Sequence, residues 1–277
     1  MRLNAKSFGL NAKIVWGIFF ITLLTILMYH YVFGHIIGFT DYYEGSKSEI
    51  LRRCDSGASN ENILPQKEGM DRQWHEYVDV IYYINRDDRG KQQFLEEMRK
   101  MGVPDEKLFR ISAVKKPGKE DWGRSLSHMI TMKLFLDTVH TNCIVFEDDF
   151  VFTQDLKTVN EMFADVFLNK RNYDVVMLSA NEVDAKPTQH KYLRKAFDVQ
   201  NASGYMVNKY YAHTLLQNYQ DGAKTIEGSY DGGTSFELQG PFCIDQYWKR
   251  LQPQSNWYVF SPKLGGQRGS QSENKRV

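Results

Sequence analysis

Three consecutive carboxylates, Glu147, Asp148 and Asp149, close a short apolar run, Cys143 to Phe146. Charges this close repel one another and are costly to strip of water. Two settings accommodate them. One is a solvated acidic turn. The other is the carboxyl end of a buried strand, where α/β sheets hold their ligands, with a cation between the oxygens. Hard carboxylate oxygens suit Mg²⁺ or Mn²⁺. The triplet alone leaves both settings open.

The flanking pattern favours a strand end. Val78 to Ile84 reads as a strand leaving into Asn85-Arg-Asp-Asp-Arg89. Lys91 to Met101 follows as an amphipathic helix with Phe94, Leu95, Met98 and Met101 on one face, closed by Gly102 and Pro104. Leu108 to Val114 is a second strand, Trp122 to Val139 a helix, and the strand into the triplet comes next. Asp155 to Lys170 is a helix with Asp155 as its N-cap, and Asp174 to Ser179 a strand. Strands near 192–200 and 203–208 precede a helix from Lys209 to about Tyr219. Alternation of this kind predicts an α/β sandwich with a mostly parallel sheet.

The rest of the chain bounds the setting. Arg2, Lys6 and Lys13 precede Ile14–Phe33, twenty mostly apolar residues with no Asp, Glu, Lys or Arg. About twenty such residues cross a bilayer as a helix. Trp16, Tyr29 and Tyr31 lie near its ends, as interfacial rings do. The three positive charges before the span against balanced charge over Asp41–Arg53 predict a type II, single-pass orientation. The span exceeds the apolar core of a signal peptide and lacks a small-x-small cleavage site. The expected organisation is a cytosolic tail over 1–13, a transmembrane anchor over 14–33, a polar stem over 34–73 and a lumenal or otherwise non-cytosolic domain over 74–277. With 35 basic and 34 acidic residues, the chain offers no field that would draw nucleic acid. Cys54, Cys143 and Cys243 have no C-x-x-C spacing, so zinc is not expected. Asn201-Ala-Ser203 is a sequon lying against a strand, where glycosylation is doubtful.

G-x-x-x-x-G-K-[ST], G-x-G-x-x-G, G-x-S-x-G and H-E-x-x-H are all absent. Their absence argues against P-loop, dinucleotide, α/β-hydrolase and zincin chemistry. What remains resembles glycosyltransferase family 25, the lipopolysaccharide-type and collagen β-galactosyltransferases. Val80-Ile-Tyr-Tyr-Ile-Asn-Arg-Asp-Asp-Arg89, Arg110-Ile-Ser-Ala113, Gly123-Arg-Ser-Leu-Ser-His128, Ile144-Val-Phe-Glu-Asp-Asp149, Ser203-Gly-Tyr205 and Ile244-Asp-Gln-Tyr247 are similar to its landmarks, in order. Gln267, Ser270 and Ser272 echo its tail, although Ser272-Glu-Asn274 departs from the expected Ser-Asp-Ile.

The resemblance implies a GT-A (Rossmann-like) fold with a mixed, mostly parallel sheet flanked by helices, Mn²⁺ (or Mg²⁺), a nucleotide-sugar donor carrying galactose or a related hexose, and a glycan, glycolipid or protein hydroxyl as acceptor, with inversion. Within it, Asp149 and Glu147 are the expected metal ligands, Asp149 the more direct. Asn85, Arg86, Arg89, Ser127, His128 and Asp148 are the expected donor-binding residues, and Asp245 the base that takes the acceptor proton, with Glu182 in reserve. Each has a plainer alternative: a solvated Arg-Asp-Asp-Arg turn, a structural helical His, an N-cap at Asp245. Trp248, Trp257 and Tyr258 suit the core better than a sugar face. The competing function is a catalytically inactive sugar- or nucleotide-binding relative of the same fold, and a third reading is a membrane protein whose acidic turn holds nothing.

Overall fold

The computed structural model describes residues 72–169, 172–231 and 240–269. The anchor over 14–33, the tail before it, nearly all of the stem, Cys54 and the stretch with Ser270, Ser272, Glu273 and Asn274 lie outside the described residues. Among the described residues no helix is long and apolar enough to cross a membrane.

Among the described residues ten strands follow in chain order: β1 Val80–Asn85, β2 Leu108–Ser112, β3 Asn142–Glu147, β4 Phe150–Phe152, β5 Val175–Met177, β6 Asn181–Pro187, β7 Leu193–Gln200, β8 Gly204–Asn208, β9 Trp257–Phe260 and β10 Gly265–Gln267. The helices are α1 Asp88–Lys100, α2 Glu120–Leu136, α3 Leu156–Asn169, α4 Lys209–Asp231 and the short α5 Ile244–Tyr247. Eight strands form one sheet in the order β2-β1-β3-β8-β5-β9-β7-β6. Only β7 and β8 run against the others, so the sheet is mixed and mostly parallel. β4 and β10 pair as a separate antiparallel ribbon.

The central strands are apolar on both faces because both are covered. Ile81 and Tyr83, Ile144 and Phe146, and Met206 join Phe94 and Met98 of α1 and Val159, Met162 and Phe163 of α3 in one buried cluster. Trp74, fully buried in the same cluster, donates its indole N–H to the Met101 carbonyl at 2.9 Å. On the other face Tyr82 meets Phe135 of α2, and Tyr205 meets Trp248. Fully buried Trp248 and Trp257 pack ring to ring, with Tyr258 only 6% exposed, so all three are core.

Several boundaries differ from those expected. α1 starts at Asp88 rather than Lys91 because Asp87 caps it, its carboxylate accepting the Gly90 N–H at 2.8 Å. β2 stops at Ser112 and α2 at Leu136, leaving Val139 exposed. α4 runs through Asp221-Gly222, which reads locally as a stop. Gly222 serves there as a point of close approach, since a Cβ would sit 2.8 Å from the Phe242 carbonyl oxygen. Asp155 does cap α3, accepting from Thr158 N–H at 2.7 Å.

The ribbon pins the acidic turn to the sheet. Gly265 N–H donates to the Leu178 carbonyl at 3.1 Å, and a Cβ at Gly265 would fall onto the Phe150 ring and 2.6 Å from the Val151 carbonyl oxygen. Gly265→Ala is expected to cost about 1–3 kcal/mol of stability by overpacking, read as a lower denaturation midpoint.

Candidate active site

Successive residues at a strand end point to opposite faces, and this rule divides the triplet. Glu147 shares its face with Val145 and turns toward α2, where Arg124 and His128 stand one turn apart. The Arg124 guanidinium grips both carboxylate oxygens, Nε to Oε1 at 2.6 Å and Nη2 to Oε2 at 3.0 Å. His128 Nε2 lies 3.2 Å from Oε1, and its Nδ1 lies 2.9 Å from the Tyr205 hydroxyl. Burial holds the His128 pKa down, so the ring is neutral. The tautomer that satisfies both contacts donates Nε2–H to Glu147 and accepts from Tyr205. Burial alone would raise the Glu147 carboxyl, but Arg124 and His128 hold it well below the usual carboxylate range.

Asp148 leaves on the opposite side. Its Oδ2 accepts the Asn85 amide and the Arg86 backbone N–H, each at 2.8 Å. Asn85 is buried and also donates to the Asp87 carbonyl at 2.6 Å, while its Oδ1 accepts Arg110 Nε at 2.8 Å. A Cβ on Gly90 would collide with the Asp148 carboxylate. Glycine in the first turn of α1 is what lets that carboxylate close on the helix N-terminus.

Asp149 is the unspent member. Its carbonyl accepts Arg268 N–H at 2.7 Å, and Gln267 Nε2 reaches Oδ2 at 3.4 Å. Oδ1 is buried and has no hydrogen-bond partner. Burial, then the charges of Glu147 and Asp148, push its carboxyl up to about 6.

All three carboxylates line a cavity of about 640 Å³ with Arg86, Asp87, Ser127 and Gln267. The lining also includes Lys115, Lys116 and Arg124, and Glu120 and Asp121. Sequence reasoning had assigned none of these five. The Arg124–His128 spacing of four on one helix was the available signal, and Lys115-Lys116 shortly past the end of β2 was the other. The lining has four basic side chains and six acidic ones, an excess of two acids.

The remaining expected residues fall as follows. Arg89 is exposed on the first turn of α1, outside the lining. Asp245 is half-buried in the first turn of α5, with Cys243 rather than Asp245 at the N-cap. It does not line the cavity, but its charge acts on Arg124 and His128. The Glu182 side chain lies outside the described residues. The Ser127 hydroxyl donates to the Gly123 carbonyl at 2.8 Å and accepts Val114 N–H at 2.9 Å, tying α2 to the exit of β2. Ser127→Ala is therefore expected to cost about 1–2 kcal/mol by orphaning a buried N–H; an unchanged melting temperature would return the hydroxyl to ligand binding. Asn201, in the sequon, is buried at φ 105° with Oδ1 accepting Ser203 N–H at 2.9 Å.

No protein-family model matches the chain, and no curated protein sequence matches it. Among solved structures it is similar to a glycosyltransferase involved in the glycosylation of the major capsid of PBCV-1. The identity is 12% and the TM-score 0.37, over 65% of this chain and 80% of that one, too shallow a likeness to assign a function.

Proposed function

We propose that this chain is a glycosyltransferase that moves a hexose from a nucleotide-sugar donor to a hydroxyl acceptor, with a divalent cation at Asp149. The observation that carries the reading is the buried, unpartnered Oδ1 of Asp149 in a cavity whose lining has two more acids than bases. That imbalance suits one divalent cation. Among the described residues no three His, Cys, Asp or Glu side chains form a metal site by themselves. Donor diphosphate oxygens are the natural further ligands. When bound, Mn²⁺ or Mg²⁺ supplies charge neutralisation for the departing diphosphate.

The chain's own residues fill the remaining roles. Asp149 holds the cation. Arg86, in the cavity lining and exposed, suits phosphate, and Lys115 and Lys116 add positive charge to the same lining. Asn85 and Asp148 fix the wall on which the nucleotide rests. Asp245, placed beside Arg124 and α2, takes the acceptor proton, in keeping with inversion. The resemblance to family 25 extends the reading to a GT-A fold and galactose-like donors. The apolar span at 14–33 extends it to a type II membrane protein with this domain on the non-cytosolic side.

The test is the purified full chain with a panel of UDP-hexoses and broad acceptors, with Mn²⁺ or with chelator. Expected is nucleoside diphosphate release that needs the cation. Donor binding without turnover on any acceptor would favour the inactive binder. Turnover undiminished by chelator would remove the cation from the reading.

A further inference from the structure

Glu147 is the puzzle of the site. It stands two residues from the proposed cation ligand, yet both of its oxygens are taken by Arg124. We propose that Arg124 is a built-in counter-ion, holding Glu147 while no cation is bound and competing with a divalent cation for that carboxylate. The inference rests on the cation reading of Asp149 given above.

The pair sits where a ligand can reach it. Arg124 and Glu147 side chains are 22% and 14% exposed, and both line the cavity. Without the guanidinium, Glu147 and Asp149 would line one cavity as uncompensated like charges, an unfavourable arrangement. Arg124 relieves that repulsion through its two contacts with the Glu147 carboxylate. A divalent cation does the same work with more charge, so the two are alternatives. A displaced guanidinium also has a second anion within electrostatic range, Asp245. His128 keeps its own contact with Glu147 from behind, so the carboxylate is held in place while its cavity-side partner exchanges.

The test titrates Mn²⁺ into the full chain and follows free Mn²⁺ by electron paramagnetic resonance. Wild type should bind one cation and Asp149→Asn none. Arg124→Met should bind about tenfold more tightly, because the competing charge is gone. In Arg124→Met/Glu147→Gln the gain should vanish. Unchanged or weaker binding by Arg124→Met overturns the inference while leaving the Asp149 site intact, and so does a gain that survives in the double variant. A wild type that binds no cation either alone or with a nucleoside diphosphate present overturns the cation reading and the inference with it. Should Arg124→Met fail to fold, the wild-type chain decides by ¹⁵N NMR. Saturating Mg²⁺ should shift the Arg124 Nε–H resonance, assigned by its loss in Arg124→Lys; a resonance that does not move overturns the inference.

Discussion

Replacing Asp149 with asparagine is expected to lower turnover at saturating donor by about a thousandfold, the scale on which electrostatic stabilisation of a leaving group operates. The change keeps shape and removes the charge that fixes the cation. Its pH behaviour is as diagnostic as its rate. Burial and two neighbouring carboxylates lift the folded Asp149 carboxyl to about 6 from an ordinary 3.8. Proton and cation compete for the same oxygens, so Mn²⁺ affinity should weaken as pH falls through 6. The cation-free fold should behave in the opposite sense. Because the folded carboxyl binds its proton more tightly than the unfolded one, stability is highest below about 4 on this account and falls as pH rises toward 6. The asparagine variant lacks that loss and should be more stable than wild type at pH 7–8, by about 1–2 kcal/mol after allowing for partial exposure. Denaturant melts at pH 5 and pH 8 check it. A variant that keeps its turnover removes Asp149 from the reaction.

Asp245→Asn is expected to divide binding from chemistry. A general base contributes about 10²–10⁴-fold, so kcat should fall by that much while donor affinity and Mn²⁺ affinity stay within about twofold. Little stability should be lost, since an acid in a helix's first turn contributes about 0.3–1 kcal/mol. Calorimetric titration of donor beside steady-state turnover reads both quantities. A loss confined to donor KM, with kcat intact, would make Asp245 a binding residue.

Much of this site was legible in the sequence because its signals are local. An apolar run ending in acid gave β3, Asp155 gave the start of α3, and Ser127-His128 fell on the helix expected for them. The division of labour within the triplet was not legible. It is set by partners far along the chain, Asn85 for Asp148 and Arg124 for Glu147, and by which face each carboxylate leaves from. The alternation rule could have assigned those faces, but not what waits on each. The insertion of β8 between β3 and β5 was equally hidden. Strand order is a property of the assembled sheet, and three-residue strands such as β4, β5 and β10 are too short to show a period. Gln267 came through the family resemblance, and its contact with Asp149 is visible only once the β4–β10 ribbon is formed.

The clamp made by Asp148 has an entropic consequence. One carboxylate joins the exit of β3, the exit of β1 and the opening turn of α1, and buried Asn85 locks the joint from below. That wall is ordered before any ligand arrives, so a molecule docking on it forfeits little chain freedom and keeps more of its contact energy as affinity. Lys115, Lys116 and Pro117 also line the cavity, and Lys115 is exposed. Long cationic side chains give up rotamer freedom when they engage. On the proposed function, discrimination among nucleotides would fall to the Asp148 clamp, and tolerance of differing substituents to Lys115.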